Sequence, residues 1–174
     1  MRNEIMLIKN NDHQWGNAQA SLTLIEYGDY QCPYCARAHS LVERLMKEFG
    51  REILFSFRNF PLQEIHPLAL HAAQSAEAAG VQGKFWTMHH MIFNNQRKIT
   101  HNFLRYLAVE LSLNMEQFER DQKDETIRAR IEEEFEEGLR NGVNRTPTFF
   151  LNGERFNHYD ETYESLRDLV TSNL

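Results

Sequence analysis

The strongest constraint on the fold is an early pattern in which two apolar segments enclose an amphipathic helix. Residues 22–27 (LTLIEY) and 53–57 (ILFSF) are rich in side chains that favour β-strands. Between them, apolar residues recur every four positions over Pro33–Phe49, which predicts a helix with Gly50 just beyond its end. Strand, helix and strand within roughly 35 residues predict a βαβ unit with parallel strands.

The rest of the chain is predicted to be a helical block followed by a short return to strands. Helices are expected at 67–79, 84–94, from about 101, after 114 and at 125–141. The strand Thr148–Leu151 then precedes Asn152-Gly153, a type I′ turn signal, so Glu154–Phe156 should pair with it antiparallel. Asp160 is expected to cap a last helix. The scaffold is therefore α/β, in the order β-α-β, helices, β-β-α.

Composition argues against several classes of function. The 174 residues carry a net charge of −6, and the stretch 121–137 alone has eight acidic and three basic residues. The remainder is nearly neutral, so the sequence predicts no nucleic-acid binding, and the acidic stretch is interpreted as a solvated helix face. No apolar run approaches the roughly 20 residues of a membrane helix, so no membrane span is expected.

The amino-terminal apolar piece, residues 5–8, is too short for a secretory signal and lies beside Glu4. The chain is therefore expected to be cytoplasmic, where cellular thiols keep cysteines reduced. A signal peptide removed during maturation would instead place the protein in the periplasm or outside the cell.

The chain has two cysteines, Cys32 and Cys35, and both lie where the first strand turns into the helix. Pro33 suits the first helical position, which puts Cys32 at the N-cap, facing free backbone N–H groups. Helix N-termini lower the pKa of a thiol, so Cys32 is predicted to be the nucleophile. Cys35, one turn further in, should be shielded and resolve a mixed disulfide. Their spacing permits a reversible disulfide.

Half of a zinc site is the alternative interpretation of the two cysteines. Zinc needs four ligands, so two histidines would have to join the pair. His39 is one turn from Cys35, but His89 and His90 are adjacent on a helix and are expected to point apart. The sequence therefore predicts no metal site.

Four segments together resemble the thioredoxin superfamily, in its DsbA-like branch with an inserted helical domain. They are YGDYQCPYC, FRNFPL with the following His-Pro, GKFWTMHHMIF and GVNRTPTFFLNG. The resemblance implies a thioredoxin fold interrupted by an all-α insertion after the second strand of the core. It implies a discontinuous thioredoxin-like domain at 1–64 and 142–174 and an inserted helical domain at 65–141.

The resemblance also implies roles for single residues. Thr146-Pro147 matches the loop whose proline is cis and faces the active-site disulfide, where it can hold an extended substrate. Glu26 matches a buried acid that takes up and returns the proton of the resolving cysteine. Tyr30 and Tyr34 flank the thiols and are candidate substrate contacts. They are joined by Arg145, which either adds positive charge near Cys32 or is simply exposed.

The leading interpretation is a protein thiol–disulfide oxidoreductase that uses the Cys-Pro-Tyr-Cys site. It is expected to need no external cofactor. Its expected partners are thiol/disulfide protein substrates and a redox partner. The Pro-Tyr dipeptide resembles glutaredoxins, which leaves open a glutathione-linked reductase or transferase of small thiols, with glutathione as co-substrate. A third interpretation is a redox-sensing binding module whose disulfide switches a partner.

Overall fold

The computed structural model describes residues 6–174, so the first five residues of the predicted domain lie outside the described part. The strands are β1 (Gln14–Gly16), β2 (Leu22–Gly28), β3 (Ile53–Asn59), β4 (Thr148–Leu151) and β5 (Glu154–Phe156). The helices are α1 (Pro33–Phe49), α2 (Ala69–Val81), α3 (Phe85–Asn94), α4 (His101–Glu110), α5 (Met115–Asp121), α6 (Glu125–Arg140) and α7 (Tyr163–Thr171), with a 3₁₀ turn at Gln96–Lys98.

The strands form one mixed sheet in the order β1-β3-β2-β4-β5. β2 and β3 run parallel, with Leu24 opposite Phe55, as the βαβ pattern predicts. β4 is antiparallel to β2 and to β5. The side chains of β2, β3 and β4 are almost all buried, because helices cover both faces of the sheet. The predicted α/β order with helices inserted after β3 is confirmed.

Strand β1 is absent from the sequence prediction. It has three residues, Gln-Trp-Gly, and pairs antiparallel with β3. Three residues are too few to show the alternation that identifies a strand. The pairing extends the sheet beyond β3, and Trp86 of α3 donates a 2.8 Å hydrogen bond to the Gln14 carbonyl.

The turn predictions agree with the structure at the hairpin and differ at the last helix. Asn152 and Gly153 have φ values of 49° and 86°, the left-handed pair that a type I′ turn requires. Helix α7, however, is capped by Thr162, whose side chain accepts from the Ser165 N–H. Asp160 instead accepts a hydrogen bond from the Thr162 N–H at 3.0 Å, so it orients the residue that caps the helix.

The acidic helix α6 is more deeply buried than a solvated charged face would be. Its inward residues include Ile127, Ile131, Glu134 and Gly138, whereas Leu139, expected in the apolar stripe, is 52% exposed. A strict four-residue repeat drifts around a helix of 3.6 residues per turn, which explains why the stripe leaves Leu139 outside.

Within the predicted insertion, α2 packs on α3, α4, α5 and α6, while α6 also packs on β3. Because α6 contacts both the helical block and the sheet, its packing does not separate the two predicted domains. The domain boundaries at 64 and 141 stay predictions.

Candidate active site

Cys32 lies at the N-cap of α1, at the end of the loop that follows β2. Its backbone is extended, with φ −72° and ψ 120°, and Pro33 takes the first helical position. The Cys32 N–H donates to the Asp29 carbonyl at 3.1 Å, which closes the turn before the helix. Both cysteines are free thiols and both are buried, Cys32 at 4% exposure and Cys35 at 0%.

Cys32 is the thiol that ionises readily. A hydrogen bond from the Cys35 side chain to the Cys32 sulfur lowers the pKa of Cys32 to about 6, against the opposing effect of burial. The Thr146 hydroxyl and the N–H groups of Cys35 and Tyr34 lower the pKa further. Within residues 6–174 the buried Thr146 hydroxyl has no hydrogen-bond partner, so its donor is free for the thiolate. When protonated, the Cys32 thiol donates to the Thr146 carbonyl at 3.4 Å.

Cys35 has the opposite character. Burial first, and then its interactions with Cys32 and Glu26, raise the pKa of the Cys35 thiol well above the ordinary value. The Asp29 N–H donates to its sulfur at 3.4 Å. At neutral pH the pair therefore consists of one thiolate and one protonated thiol.

Glu26 on β2 is a buried acid beside this pair. It is 2% exposed, and burial followed by repulsion from Cys32 raises the pKa of Glu26 from 4.5 to about 8. Its Oε1 has no hydrogen-bond partner within residues 6–174, and neither does the buried hydroxyl of Tyr159. A carboxyl group that titrates near neutral pH can accept or return a proton.

A groove beside Cys32 is suited to a substrate. It has a volume of about 320 Å³ and is lined by Tyr34, Arg145, Thr146, Pro147, Thr148, Phe149, Arg155, Phe156, Tyr159 and Glu161. The Thr146–Pro147 peptide bond is cis. Tyr34 is 50% exposed at its rim, and Arg145 is exposed there as well.

Tyr30 is not available to a substrate, which corrects its expected role as a contact. Its side chain is 1% exposed, packs on Phe57 and Phe93, and its hydroxyl lies 2.9 Å from His89 Nδ1. The residue precedes the exposed tip of the loop and faces the core between the sheet and α3. Sequence proximity to Cys32 did not reveal this direction.

Sequence reasoning also missed the residues that hold the loop in shape. The buried Asp29 carboxylate accepts from Gln31 N at 2.7 Å, Leu62 N at 2.9 Å and His66 Nδ1 at 2.8 Å. Both Asp29 and His66 lie inside the segments that carry the family resemblance, so a signal existed. Gln96, which follows α3, donates to the Tyr30 carbonyl at 2.9 Å and to the Cys32 carbonyl at 2.7 Å, and no sequence pattern marks it.

The fold and the site define a thioredoxin-like protein, in which helices interrupt the core and a Cys-x-x-Cys pair begins α1. A family model described as thioredoxin matches residues 9–172, and the chain belongs to this thioredoxin family.

Solved structures share the fold. A thioredoxin-like oxidoreductase from Silicibacter pomeroyi DSS-3 superposes with a TM-score of 0.82 at 25% identity, over 95% of this chain and 93% of that one. The thiol-disulfide exchange protein alpha-DsbA2 from Wolbachia pipientis superposes with a TM-score of 0.82 at 21% identity, over 94% of this chain and 87% of that one.

Curated relatives match over a part of their length. The Na(+)/H(+) antiporter NhaA 1 of Mycolicibacterium gilvum is 37% identical over 146 residues, which are 83% of this chain and 24% of that protein. The Na(+)/H(+) antiporter NhaA 1 of Salinispora arenicola is 38% identical over 161 residues, 92% of this chain and 24% of that protein. The chain thus spans about a quarter of the length of these relatives. In residues 6–174, no helix has the length and apolarity to cross a membrane.

Proposed function

We propose that the protein is a thiol–disulfide oxidoreductase that exchanges disulfides with protein substrates through Cys32 and Cys35. The observation that carries this proposal is the position of two buried thiols one helical turn apart, with Cys32 at the N-cap of α1 and Cys35 inside the helix. The pKa of Cys32 is lowered to about 6 and that of Cys35 is raised, with Glu26 beside them as a proton acceptor. The thiolate is the attacking species in exchange, and a protonated neighbour waits until the mixed disulfide has formed.

In the reducing direction, the Cys32 thiolate attacks a substrate disulfide and forms a mixed disulfide, and the first substrate sulfur leaves as a thiolate. Cys35 then transfers its proton to the ionised form of Glu26, whose fraction grows as pH rises towards about 8, and attacks the Cys32 sulfur. The second substrate thiolate leaves, and the protein carries the Cys32–Cys35 disulfide. The substrate has gained two electrons and the protein has lost two. In the oxidising direction the same steps run backwards, so a redox partner sets the direction.

The groove supports a peptide as the substrate. Tyr34 and Pro147 line the groove, and the Thr146 carbonyl lies 3.4 Å from the Cys32 sulfur. This closeness supports pairing of an extended substrate with the backbone beside Thr146. The exposed Tyr34 side chain lies between the two reacting cysteines in sequence, so its ring can cover an incoming disulfide.

A second candidate is glutathione as the substrate or co-substrate. Arg145 and Arg155 both line the groove, and guanidinium groups suit the carboxylates of this tripeptide. This candidate shares the chemistry of the first and differs in the size of the partner.

Trapping with Cys35→Ser tests both candidates, because the variant forms the mixed disulfide but cannot resolve it. The variant is exposed to a protein extract and glutathione, and the adducts are separated under non-reducing conditions and identified by mass. Protein adducts support the proposal, and glutathione adducts alone support the second candidate. Cys32→Ser is the matched control and should trap neither.

A turnover assay separates catalysis from a redox-sensing role. The wild-type protein should reduce or oxidise a disulfide-containing model protein over many cycles in a glutathione buffer. A protein that forms its disulfide but turns over no faster than the Cys32→Ser control would refute the enzymatic proposal.

A further inference from the structure

A cluster of three histidines and one glutamate lies between α1 and α3 and begins one helical turn beyond Cys35. His39 and Glu43 are one turn apart on α1, and His89 and His90 follow each other on α3. One ring nitrogen of each histidine lies within 4.8 Å of the others. The rings of His89 and His90 are 5.6 Å apart, and the His39 ring lies near both of them, with centroids 5.2 Å and 5.1 Å away.

Three ligand atoms in this cluster already have the spacing of a metal site. His39 Nε2 lies 3.4 Å from His90 Nδ1, and Glu43 Oε1 lies 3.5 Å from His90 Nδ1 and 3.8 Å from His39 Nε2. A tetrahedral ion with bonds of ~2.0–2.1 Å holds its ligand atoms about 3.3–3.4 Å apart. An ion at the centre of these atoms therefore needs movements of a few tenths of an ångström.

The donor types in the cluster also suit a cation. Imidazole nitrogens and carboxylate oxygens are ligands that divalent transition metals accept. Glu43 supplies a negative charge. The Tyr30 hydroxyl, 2.9 Å from His89 Nδ1, fixes that ring in the way that outer partners orient metal-bound histidines.

Access to the cluster is from the solvent side. His39 and His89 are buried, whereas the side chains of Glu43 and His90 are 31% and 26% exposed. An ion can therefore enter past the two half-exposed ligands without opening the core.

We propose that His39, Glu43, His89 and His90 bind a divalent transition metal, with Zn²⁺ as the best fit. Imidazole and carboxylate ligands in a tetrahedral arrangement favour this ion. Two ligands come from α1, which carries the thiols, and two from α3 of the helical block. The ion thus acts as a clamp between the helix of the active site and the insertion.

The experiment uses Co²⁺ as the probe and the Cys32→Ser/Cys35→Ser protein, in which no thiolate can bind the metal. Tetrahedral Co²⁺ has visible absorption bands that the hydrated ion lacks. Trp15 and Trp86 add a second signal, because their rings lie 5.2 Å from His90 and from His89, and Co²⁺ bound there should quench their fluorescence. The expected result is one-to-one binding, displaced by Zn²⁺, which binds such sites more tightly.

Variants assign the site. His90→Gln and Glu43→Gln change half-exposed residues, so they should fold, and each should weaken Co²⁺ binding at least about tenfold, the effect of losing even an outer partner. His71→Gln changes one ring of the other close histidine pair, 4.2 Å from His101, and should leave the binding unchanged. Zn²⁺ should raise the melting temperature of the parent protein and not that of His90→Gln.

Absence of the visible bands in the parent protein overturns the proposal. Binding that persists in both His90→Gln and Glu43→Gln, or that disappears in His71→Gln, also overturns it, because the metal then binds elsewhere. Helical circular dichroism of each variant shows that lost binding is not lost folding. None of these outcomes depends on the redox activity, which the parent protein lacks.

Discussion

At the scale of single residues, two cysteines three positions apart differ because their surroundings differ. The Cys32 sulfur at the helix N-terminus receives hydrogen bonds, whereas Cys35, buried one turn deeper, faces a carboxyl group. Cys32, Cys35, Glu26 and the Thr146-Pro147 loop were all named from the sequence because they lie in contiguous motifs. The inward orientation of the Tyr30 side chain was not predicted, because it depends on the packing of α3 against the sheet.

Replacing Thr146 by Val tests the hydrogen bond to the thiolate. A hydrogen bond to a charged group is worth ~1.5–3 kcal/mol, so its loss should raise the pKa of Cys32 by about one to two pKa units. The rate of alkylation of the reduced protein by iodoacetamide, followed against pH, gives this value. In the wild type the rate should rise with a midpoint at about 6.

Thr148→Val is the matched control, because its hydroxyl donates to the Arg145 carbonyl at 2.7 Å rather than to Cys32. An equal change in the midpoint of alkylation for both variants would show that the Thr146 hydroxyl does not specifically stabilise the Cys32 thiolate.

Glu26→Gln should stabilise the reduced protein in alkaline solution. The folded-state pKa of Glu26, about 8, is above its ordinary value of 4.5, so the folded protein retains a proton that the unfolded chain has lost. Stability from this group is therefore complete below about pH 4.5 and is lost as pH rises to about 8. Glutamine does not ionise, so the variant does not lose stability in this way. At high pH its free energy of unfolding should exceed that of the wild type by up to about 5 kcal/mol.

Urea unfolding near pH 4.5 and near pH 8.5 measures the difference between the two proteins. A gain that is the same at both pH values would mean that Glu26 has the same pKa in the folded protein as in the unfolded chain.

The same substitution should slow the second chemical step. Glutamine cannot accept the proton of Cys35, and general base catalysis typically contributes about 10²–10⁴-fold. Stopped-flow measurement of the release of a fluorescent peptide from its mixed disulfide with Cys32 reports this step. The formation of the mixed disulfide should be nearly unchanged, and a slower formation with unchanged release would contradict the assignment.

At the scale of helices and strands, the boundaries of α1, β4 and β5 could be predicted from local signals such as Pro33 and Asn152-Gly153. The burial of α6 could not be predicted, because the eight acidic residues in the stretch 121–137 suggest a solvated helix. Glu134 is buried there because it accepts hydrogen bonds from the N–H and side chain of Asn59, at 2.7 Å and 2.9 Å. Such a partner on a distant strand leaves no periodic signal in the sequence.

Gly138 tests how closely α6 approaches the sheet. In an exposed helix, alanine in place of glycine stabilises by about 1 kcal/mol. A Cβ at Gly138 would lie 2.9 Å from the Phe60 ring and 3.0 Å from the Tyr27 ring, so Gly138→Ala should instead destabilise by ~1–3 kcal/mol. The free energy of unfolding in urea decides the sign.

Gly80→Ala in α2 is the matched control. Its Cβ would meet His13 at 3.1 Å and Phe85 at 3.3 Å, so its effect should be smaller than that of Gly138→Ala. A stabilising Gly138→Ala would mean that α6 stands off the sheet.

At the scale of the whole molecule, Arg58 on β3 joins three distant parts of the chain. Its guanidinium is buried and contacts Asp12 at 2.7 Å, the Leu7 carbonyl at 2.6 Å and Glu137 of α6 at 3.3 Å. The family and the α/β order were predictable because they depend on contiguous motifs. The Arg58 network was not predictable, because Arg58 is separated from its three partners by 46, 51 and 79 residues in the sequence.

Arg58→Met should lower the free energy of unfolding by about 3–5 kcal/mol, because it leaves the Asp12 carboxylate, 5% exposed, without its guanidinium partner, whereas Glu137 keeps its ion pair with Lys9. Arg128→Met, which removes an exposed ion pair with Glu132 on α6, is the control and should leave the urea midpoint unchanged within error. Equal effects of the two substitutions would show that Arg58 acts only as a surface charge.

The two hydrogen bonds from Gln96 have a consequence for anyone who recombines this protein with its relatives. The amide comes from the helical block, and the carbonyls that receive it belong to the turn that carries Cys32. A chimera that keeps the core and borrows the block must therefore import a donor at this place. Without one, the Cys32 turn would lose two of its anchors even if every helix folded correctly.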